Sequence, residues 1–542
     1  MSHPILNKST DINVNYAARI SRVDEIHPIP DAHSIVKAVL GTDTVVVSKD
    51  TKVGDIVVFF PVGACISSKY LRELNLYSSA ELNSNYDDYL TVANELNALM
   101  TKPAKDEEDI SKIQELEARR KGMVGFFSHK GNVRCIKLRG QVSMGYVAPV
   151  TTLEQVWPEL RTVLWSKELG NVIDMIGTEQ LCWKYIPVGK TASEDTRTSY
   201  KMPWYKRSLR KLKRFDRLIP GFFRPHYDTA HLDRNAHLIE PDDEITETVK
   251  VHGTSVILSN LPVRRKLNLW ERLRKKLGMK VQETEFGEIY STRRVIQNKY
   301  INPGATRANN EPGNEYEAVN NEFIHFLSPG MSVYGEIVGY KPNGKPIQSP
   351  KGIDHDYGCE RGEHKFMPYR ITETDGEGNV KEWPIRDVMN WVNMVRKNLP
   401  EVEKSKIMDM VLVYEGKAGD QYGLYEQIRN STTMVEHQSE LNDFKTSAAY
   451  CGFLPKRLES FEEFVKNKWR VAWVEAIHND KTGIGMELPE PLCKNKKAPR
   501  EGIVVRITGD NESRAWKCKT NAHAMLAQKA QDAGEVDAED IA

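Results

Sequence analysis

The stretch "TETVKVHGTSVILSN", Thr246 to Asn260, places Lys250 directly before His-Gly-Thr-Ser, with apolar β-type residues on both sides. A surface lysine needs no such company. Gly253 and the small hydroxyl residues Thr254 and Ser255 point to a backbone that something must approach closely. A lysine amine is a nucleophile only when deprotonated, and neighbouring cations or a metal favour that state. The question for the rest of the chain is whether it supplies such neighbours.

It does so downstream. "AWKCKT" sets Lys517 and Lys519 two apart, on one face of a strand. "YSTRRVIQN" puts Arg293 and Arg294 at the end of a β-type run. These residues offer positive charge for phosphate oxygens, arginine as a fork and lysine as a point charge. Two acids complete the set. Glu336 sits inside "YGEIVG" and Glu501 opens "EGIVVRI". An acid embedded in an apolar strand requires a cation or a metal, and magnesium bridging phosphates is a natural partner.

The remaining sequence bounds the setting. With 542 residues the chain exceeds one ordinary core, so two or three domains are expected. A net charge of +1 excludes a globally basic nucleic-acid coat and leaves such binding to local patches. The seven cysteines, at 65, 135, 182, 359, 451, 493 and 518, include no CxxC pair, which argues against a disulfide framework or a zinc ribbon. The start "MSHPILNKSTDIN" lacks a signal-peptide pattern, and no apolar run is long enough to span a bilayer. A cytoplasmic protein with reduced thiols is expected.

Within a first domain of 1–190, residues from about Ala17 to Val150 read as mostly β, with "SIVKAVLGTDTVVVSKD" and "VGDIVVFF" as short β-branched runs between turn signals. A charged helical insertion at about 68–122 interrupts them, read as a solvated hairpin. Residues 191–242 form a connector whose "KMPWYKRSLRKLKRFDRLIP" holds eight Lys or Arg interleaved with Trp204, Tyr205 and Phe215. Such a stretch tracks phosphates, forms a solvated amphipathic helix or lies on a membrane surface. A second basic segment, Arg264 to Gly278, has helical spacing and a terminal glycine. From 243 to 542, strand candidates ("SVYGEIVGY", "FMPYRIT", "GIVVRI") alternate with helices ("IRDVMNWVNMVRKNLP", "FEEFVKNKWRVAWVEAI"), and 372–500 carries no assignable chemistry. "GYKPNGKP" fails as a phosphate loop because Pro346 stands where a hydroxyl residue is needed. "DGEGN" reads as a hairpin turn. The metal-like run Asp354, His355, Asp356, Cys359, Glu360 and His364 reads as a polar loop, and His226, His231 and His237 as surface histidines.

In order, "KVHGTS", "STRRVIQN", "YGEIVG", "FMPYRIT", "EGIVVR" and "WKCK" resemble the motif series of the covalent nucleotidyltransferase superfamily, over roughly Thr246 to Thr520. The form KxHGT is similar to its RNA-ligase branch. DNA ligases and capping enzymes carry Asp where His252 stands, and only 520–542 follow the last motif here. "VGDIVVFFPVGACIS" and "RCIKLRGQVSMGY" resemble the N-terminal OB module of Deinococcus-type RNA ligases. Ser255 and Val249 depart from the relatives' usual Asn and Glu.

The resemblance implies an α+β chain. An N-terminal OB-like β-barrel would be followed by a nucleotidyltransferase (adenylation) domain of antiparallel sheets flanked by helices. It implies an ATP-dependent RNA ligase acting on nicked or broken RNA ends, an RNA/DNA hybrid included, with no membrane and no obligatory protein partner. Lys250 would be the nucleophile. His252, Gly253, Arg293, Glu336, Tyr369, Glu501, Lys517 and Lys519 would bind nucleotide, with Tyr369 stacking on adenine and Phe366 as its competitor. Glu336 and Glu501 would serve Mg2+ or Mn2+, so losing either is expected to cost activity and not the fold. A capping-type guanylyltransferase and a non-catalytic nucleic-acid-binding protein on a ligase scaffold are the alternatives.

Overall fold

The computed structural model of the protein describes residues 6–7, 13–162, 172–185, 217–226, 229–293, 296–297, 314–448, 460–479, 481, 483–507, 514–533 and 535. The basic stretch with Lys206, Arg207, Arg210, Lys211, Lys213 and Arg214 lies outside these residues, as do Trp204, Tyr205, Phe215 and Arg294. The chain forms two compact units: Met1–Ile186 with Tyr425–Val474, and Pro187–Leu424 with Glu475–Ala542. Among the described residues no helix is long and apolar enough to cross a membrane.

In the first unit, strands β1 (Ala18–Arg22), β2 (Glu25–Pro28), β3 (Ile35–Leu40), β4 (Asp43–Ser48) and β5 (Ile56–Pro61) follow one another. After the insertion come β6 (Gly145–Pro149) and β7 (Val172–Ile173). One sheet runs β6-β5-β1-β7 and another β2-β3-β4. The apolar run of β5 is explained by burial on both faces. Val57 and Phe59 pack with Val23, Ala38 and Val45. Val58 and Phe60 pack with Ile20, Tyr70 and Trp157. Among the described residues these sheets remain separate and none closes on itself, so the expected barrel is not seen as a closed one.

The insertion holds helices α1 (Ser68–Glu73), α2 (Tyr86–Met100) and α3 (Glu107–Gly122). α2 and α3 share a core of Val92, Leu96 and Leu116, with Leu99, Ile113 and Met123 packed against it. Tyr425–Val474, part of the stretch without assignable chemistry, belongs to this unit. There Trp469 and Trp473 are buried and stacked at 5.6 Å.

The second unit contains two five-stranded sheets. The first is built from β8 (Ala230–His231), β9 (Glu244–Lys250), β15 (Leu412–Lys417), β16 (Gly502–Ile507) and β17 (Ala515–Lys519), in the order β8-β17-β16-β9-β15. The second is built from β10 (Thr254–Arg264), β11 (Thr284–Thr292), β12 (Met331–Gly339), β13 (His364–Thr374) and β14 (Val380–Glu382), in the order β11-β10-β12-β13-β14. Apart from the parallel β8–β17 pair, the pairings are antiparallel. The opening stretch is the crossing between the sheets. β9 ends at Lys250, Val251-His252-Gly253 make the turn, and β10 begins at Thr254.

Helix α6 (Ile385–Asn398) lays Ile385, Val388, Trp391, Val392 and Val395 on the second sheet's core. α5 (Glu315–Phe323) adds Val319 and Phe323 to that core. The segment Arg264–Gly278 is less helical than its spacing predicts. β10 runs through Arg264, and helix α4 (Leu269–Lys276) starts only at the Asn268 cap. Asn268 and Glu271 exchange hydrogen bonds of 2.8 Å each, a reciprocal cap that fixes the start. The polar side of α4 is occupied by its own hairpin, with Glu271 paired to Arg265 and Lys275 to Glu283. Its apolar side faces water: Leu269 is 82% and Trp270 75% exposed, and Leu273 and Leu277 are exposed beside them.

One buried group of this unit sets a pH dependence. Glu247 on β9 is buried and accepts a 2.8 Å hydrogen bond from Gln421 Nε2. Burial raises its carboxyl from 4.5 to about 7, against a lowering by Gln421. Between these values the folded chain keeps a proton that the unfolded chain has released, so stability falls as pH rises through that window. A shift of this size corresponds to about 3 kcal/mol. Glu247→Gln should therefore match the wild type near pH 5 and melt above it near pH 8. Equal pH slopes for the two proteins in denaturant titrations would contradict the assignment.

Candidate active site

Strand register assembles the site. Lys250 lies opposite Gly502, and Gly502 lies opposite Lys519, so the two lysines flank a residue without a side chain. Gly502 has φ +149°, and a Cβ there would stand 1.9 Å from the Cys518 carbonyl oxygen. Glu501, the residue before it, is buried and bridges both amines. Its Oε2 accepts from Lys250 Nζ at 2.9 Å, and its Oε1 stands 2.9 Å from Lys519 Nζ. His252 Nδ1 is 3.6 Å from the same Oε2. Burial alone would raise the Glu501 carboxyl. The Lys250 and Lys519 ammoniums outweigh it, aided by His252, and hold the group ionised well below the usual carboxylate range.

A cavity opens between the two sheets of this unit. Lys250, Arg293, Glu336, Tyr369, Lys517 and Lys519 line it together, so six of the residues predicted from sequence meet at one place. Glu336, buried on β12, faces Ser255 across the register and accepts from its Oγ at 3.2 Å. Tyr369 reaches the cavity from β13, while Phe366 is buried in the core, 5.3 Å from the Phe323 ring. Arg506 Nη1 donates to the Tyr369 carbonyl at 3.1 Å, fixing the strand that carries the tyrosine.

The other predicted residues lie behind this wall. A Cβ on Gly253 would meet the Ile337 carbonyl at 2.3 Å. The close approach that this glycine permits is that of strand β12. Gln348 Nε2 donates to its carbonyl at 2.7 Å. His252 is buried among histidines, its ring 4.9 Å from His355 and 4.7 Å from His523. Its amide donates to the Tyr357 hydroxyl at 2.6 Å. Burial drives His523 well below its ordinary pKa and His355 down to about 4, so both imidazoles are neutral near pH 7. His252 meets the lysine pair only by way of Glu501, 3.6 Å from its Nδ1.

The metal assignments differ in their geometry. Glu336 presents a carboxylate on the cavity wall, a hard oxygen donor suited to Mg2+ or Mn2+. Each oxygen of Glu501 already holds an ammonium. Glu501 pairs with both, and one of its oxygens also lies within 4.8 Å of ring nitrogens of His252 and His523, a grouping that could hold a metal ion.

Several site residues escaped the sequence reading. Arg506 follows Gly502 and Val504 on one face of β16, so period-two alternation could have found it. His226 lines the cavity 5.9 Å from the Tyr369 ring, and His231 pairs in register with Lys517, so neither is a surface histidine; His237 is exposed as expected. His523 sits in the first turn of helix α7 (Asn521–Asp532), capped by Thr520, and nothing in its local sequence marks it. The run from Asp354 is a loop up to residue 363, and His364 opens β13. Asp356 ties it by accepting from the amides of Gly358, Lys494 and Asn495, each at 2.8 Å.

No protein-family model matches the chain, and no curated protein does. Among solved structures the chain is similar to a mutant Naegleria gruberi RNA ligase with ATP and Mn, at TM-score 0.46 and 15% identity over 94% of this chain and 98% of that one. It is similar to another mutant of that ligase with AMP and Mn, at TM-score 0.45 and 16% identity over 94% and 98%. The same ligase with PPi gives TM-score 0.45 and 16% identity over 94% and 97%.

Proposed function

We propose that the chain is an ATP-dependent RNA ligase that joins a 3′-hydroxyl to a 5′-phosphate through AMP carried on Lys250. The carrying observation is the pairing of Lys250 with buried Glu501, which also holds Lys519, at the wall of a cavity lined by Arg293, Glu336, Tyr369 and Lys517. The motif order supports the choice of chemistry, and the KxHGT form supports RNA over DNA.

In this reading the Lys250 amine, having lost its proton, attacks the α-phosphorus of ATP. The N–P bond forms, the bond to the bridging oxygen breaks, and pyrophosphate leaves. Lys517, Lys519 and Arg293 face the phosphate oxygens and stabilise charge that builds there. Tyr369 offers a ring to the adenine. The carried AMP then passes to an RNA 5′-phosphate, and a 3′-hydroxyl displaces it. Mg2+ or Mn2+, held at Glu336, would neutralise phosphate charge. Glu501 contributes by orienting Lys250 and Lys519.

The test is incubation with α-labelled ATP and Mg2+, followed by denaturing electrophoresis. Label is expected to stay on the chain and to be released by added pyrophosphate or by nicked RNA, with sealing of the nick. Label from GTP in place of ATP would favour the guanylyltransferase. No label from either would leave a non-catalytic scaffold.

A further inference from the structure

Lys517 and Lys519 turn toward the cavity, and Cys518 between them turns to the opposite face of β17, where it is buried. There Cys518 Sγ lies 3.5 Å from His478 Nε2. The Asp233 carboxylate is hydrogen-bonded to that same nitrogen. The three ligand atoms lie within 4.8 Å of one another. An imidazole nitrogen has a single in-plane direction for one proton or one lone pair, so a thiol and a carboxylate cannot both be well served by it. A metal ion between the three groups can serve all of them.

One separation has the length such an ion would span. Tetrahedral zinc, with Zn–S of about 2.3 Å and Zn–N of about 2.0 Å, puts sulfur and nitrogen about 3.5 Å apart. The Cys518–His478 separation has that length, but Sγ is also 3.9 Å from Nδ1 and so lies over the ring face, and the imidazole would have to turn its Nε2 toward an ion. Asp233, now closer to the nitrogen than a shared ion allows, would move outward to let the ion enter. His478 and Asp233 keep 26% and 17% of their side chains exposed, which leaves a path in and a place for water as fourth ligand. Thiolate with imidazole selects zinc-class ions over Mg2+ and Mn2+. We propose that Cys518, His478 and Asp233 bind a zinc-class divalent ion on the face of β17 opposite the cavity. The ion would fix the strand that carries Lys517 and Lys519, and its site is separate from the nucleotide's.

The test uses the full chain, freed of metal by a chelator and titrated with Co2+. One equivalent should bind and give a near-ultraviolet thiolate-to-cobalt band with the visible bands of a four-coordinate ion. Zn2+ should displace it and raise the melting temperature, while excess Mg2+ should not. Cys518→Ser should abolish the near-ultraviolet band, and His478→Gln should weaken Co2+ binding at least tenfold. Absence of the band in the wild type, or its persistence in Cys518→Ser, overturns the proposal. If Cys518→Ser does not fold, unchanged Co2+ affinity in His478→Gln overturns it equally.

Discussion

Lys250→Ala should carry no label after incubation with ATP and Mg2+, although it folds. The covalent bond needs an amine at the end of β9, and no neighbour can take its place. Lys519, the nearest amine of the pair, is held on the other oxygen of Glu501 from a different strand. Lys250→Arg should fail as well, because guanidinium stays protonated near neutral pH. Removing Lys250 leaves buried Glu501 still paired with Lys519, so the variant should melt below the wild type yet remain folded. Retention of covalent AMP by either variant rejects Lys250 as the nucleophile.

Glu501→Gln should have the next largest effect, on activity and fold together. The change leaves two ammoniums beside a neutral amide where one carboxylate had held both. Breaking a buried ion pair costs about 3–5 kcal/mol. The partial exposure of both lysines reduces this to roughly 2–3 kcal/mol. Labelling by ATP should drop at least a hundredfold, since Lys250 is no longer aimed. The pH dependence follows from the sign of the shift. The folded-state pKa is depressed, so the stability contributed by Glu501 is present above the ordinary carboxyl value of 4.5 and is lost as pH falls through the lower folded value. The gap in stability between wild type and variant should therefore close in acid. Full stability of Glu501→Gln at neutral pH would restore the metal-serving role expected from sequence.

That contrast shows what the sequence could convey. Strands and their order were legible, because β9, β10, β12, β13, β16 and β17 each carry a β-type run with a charged residue at a distinctive place. Alternation alone put Lys517 and Lys519 on one face. What Glu501 touches was not legible, since its partners lie 251 residues before it and 18 after it and meet through strand register. The same holds for His523 and His355, which reach His252 only through the fold. Glu247 looks like one more polar residue in "TETVK" until the sheet buries it. The grouping of Tyr425–Val474 with the first unit was hidden too, because helical periodicity records which face is apolar and not which core receives it. Asn268 shows a nearer miss. Its cap with Glu271 is a readable sequence signal, yet the basic spacing around it drew the helix from Arg264, five residues before Leu269.

Helix α4 has a consequence for the protein in solution. Its outward side combines Leu269, Trp270, Leu273 and Leu277 with Arg272, Arg274 and Lys276 around them. At low ionic strength these cations would oppose contact between two copies through this helix. Added salt shortens the reach of that repulsion to about 3 Å at 1 M while leaving the attraction between apolar patches in place. Colloidal behaviour is therefore inverted from that of a chain whose association rests on ion pairs: the second virial coefficient, measured by static light scattering, should fall from positive toward negative as salt increases, and should stay level if the patch is inert.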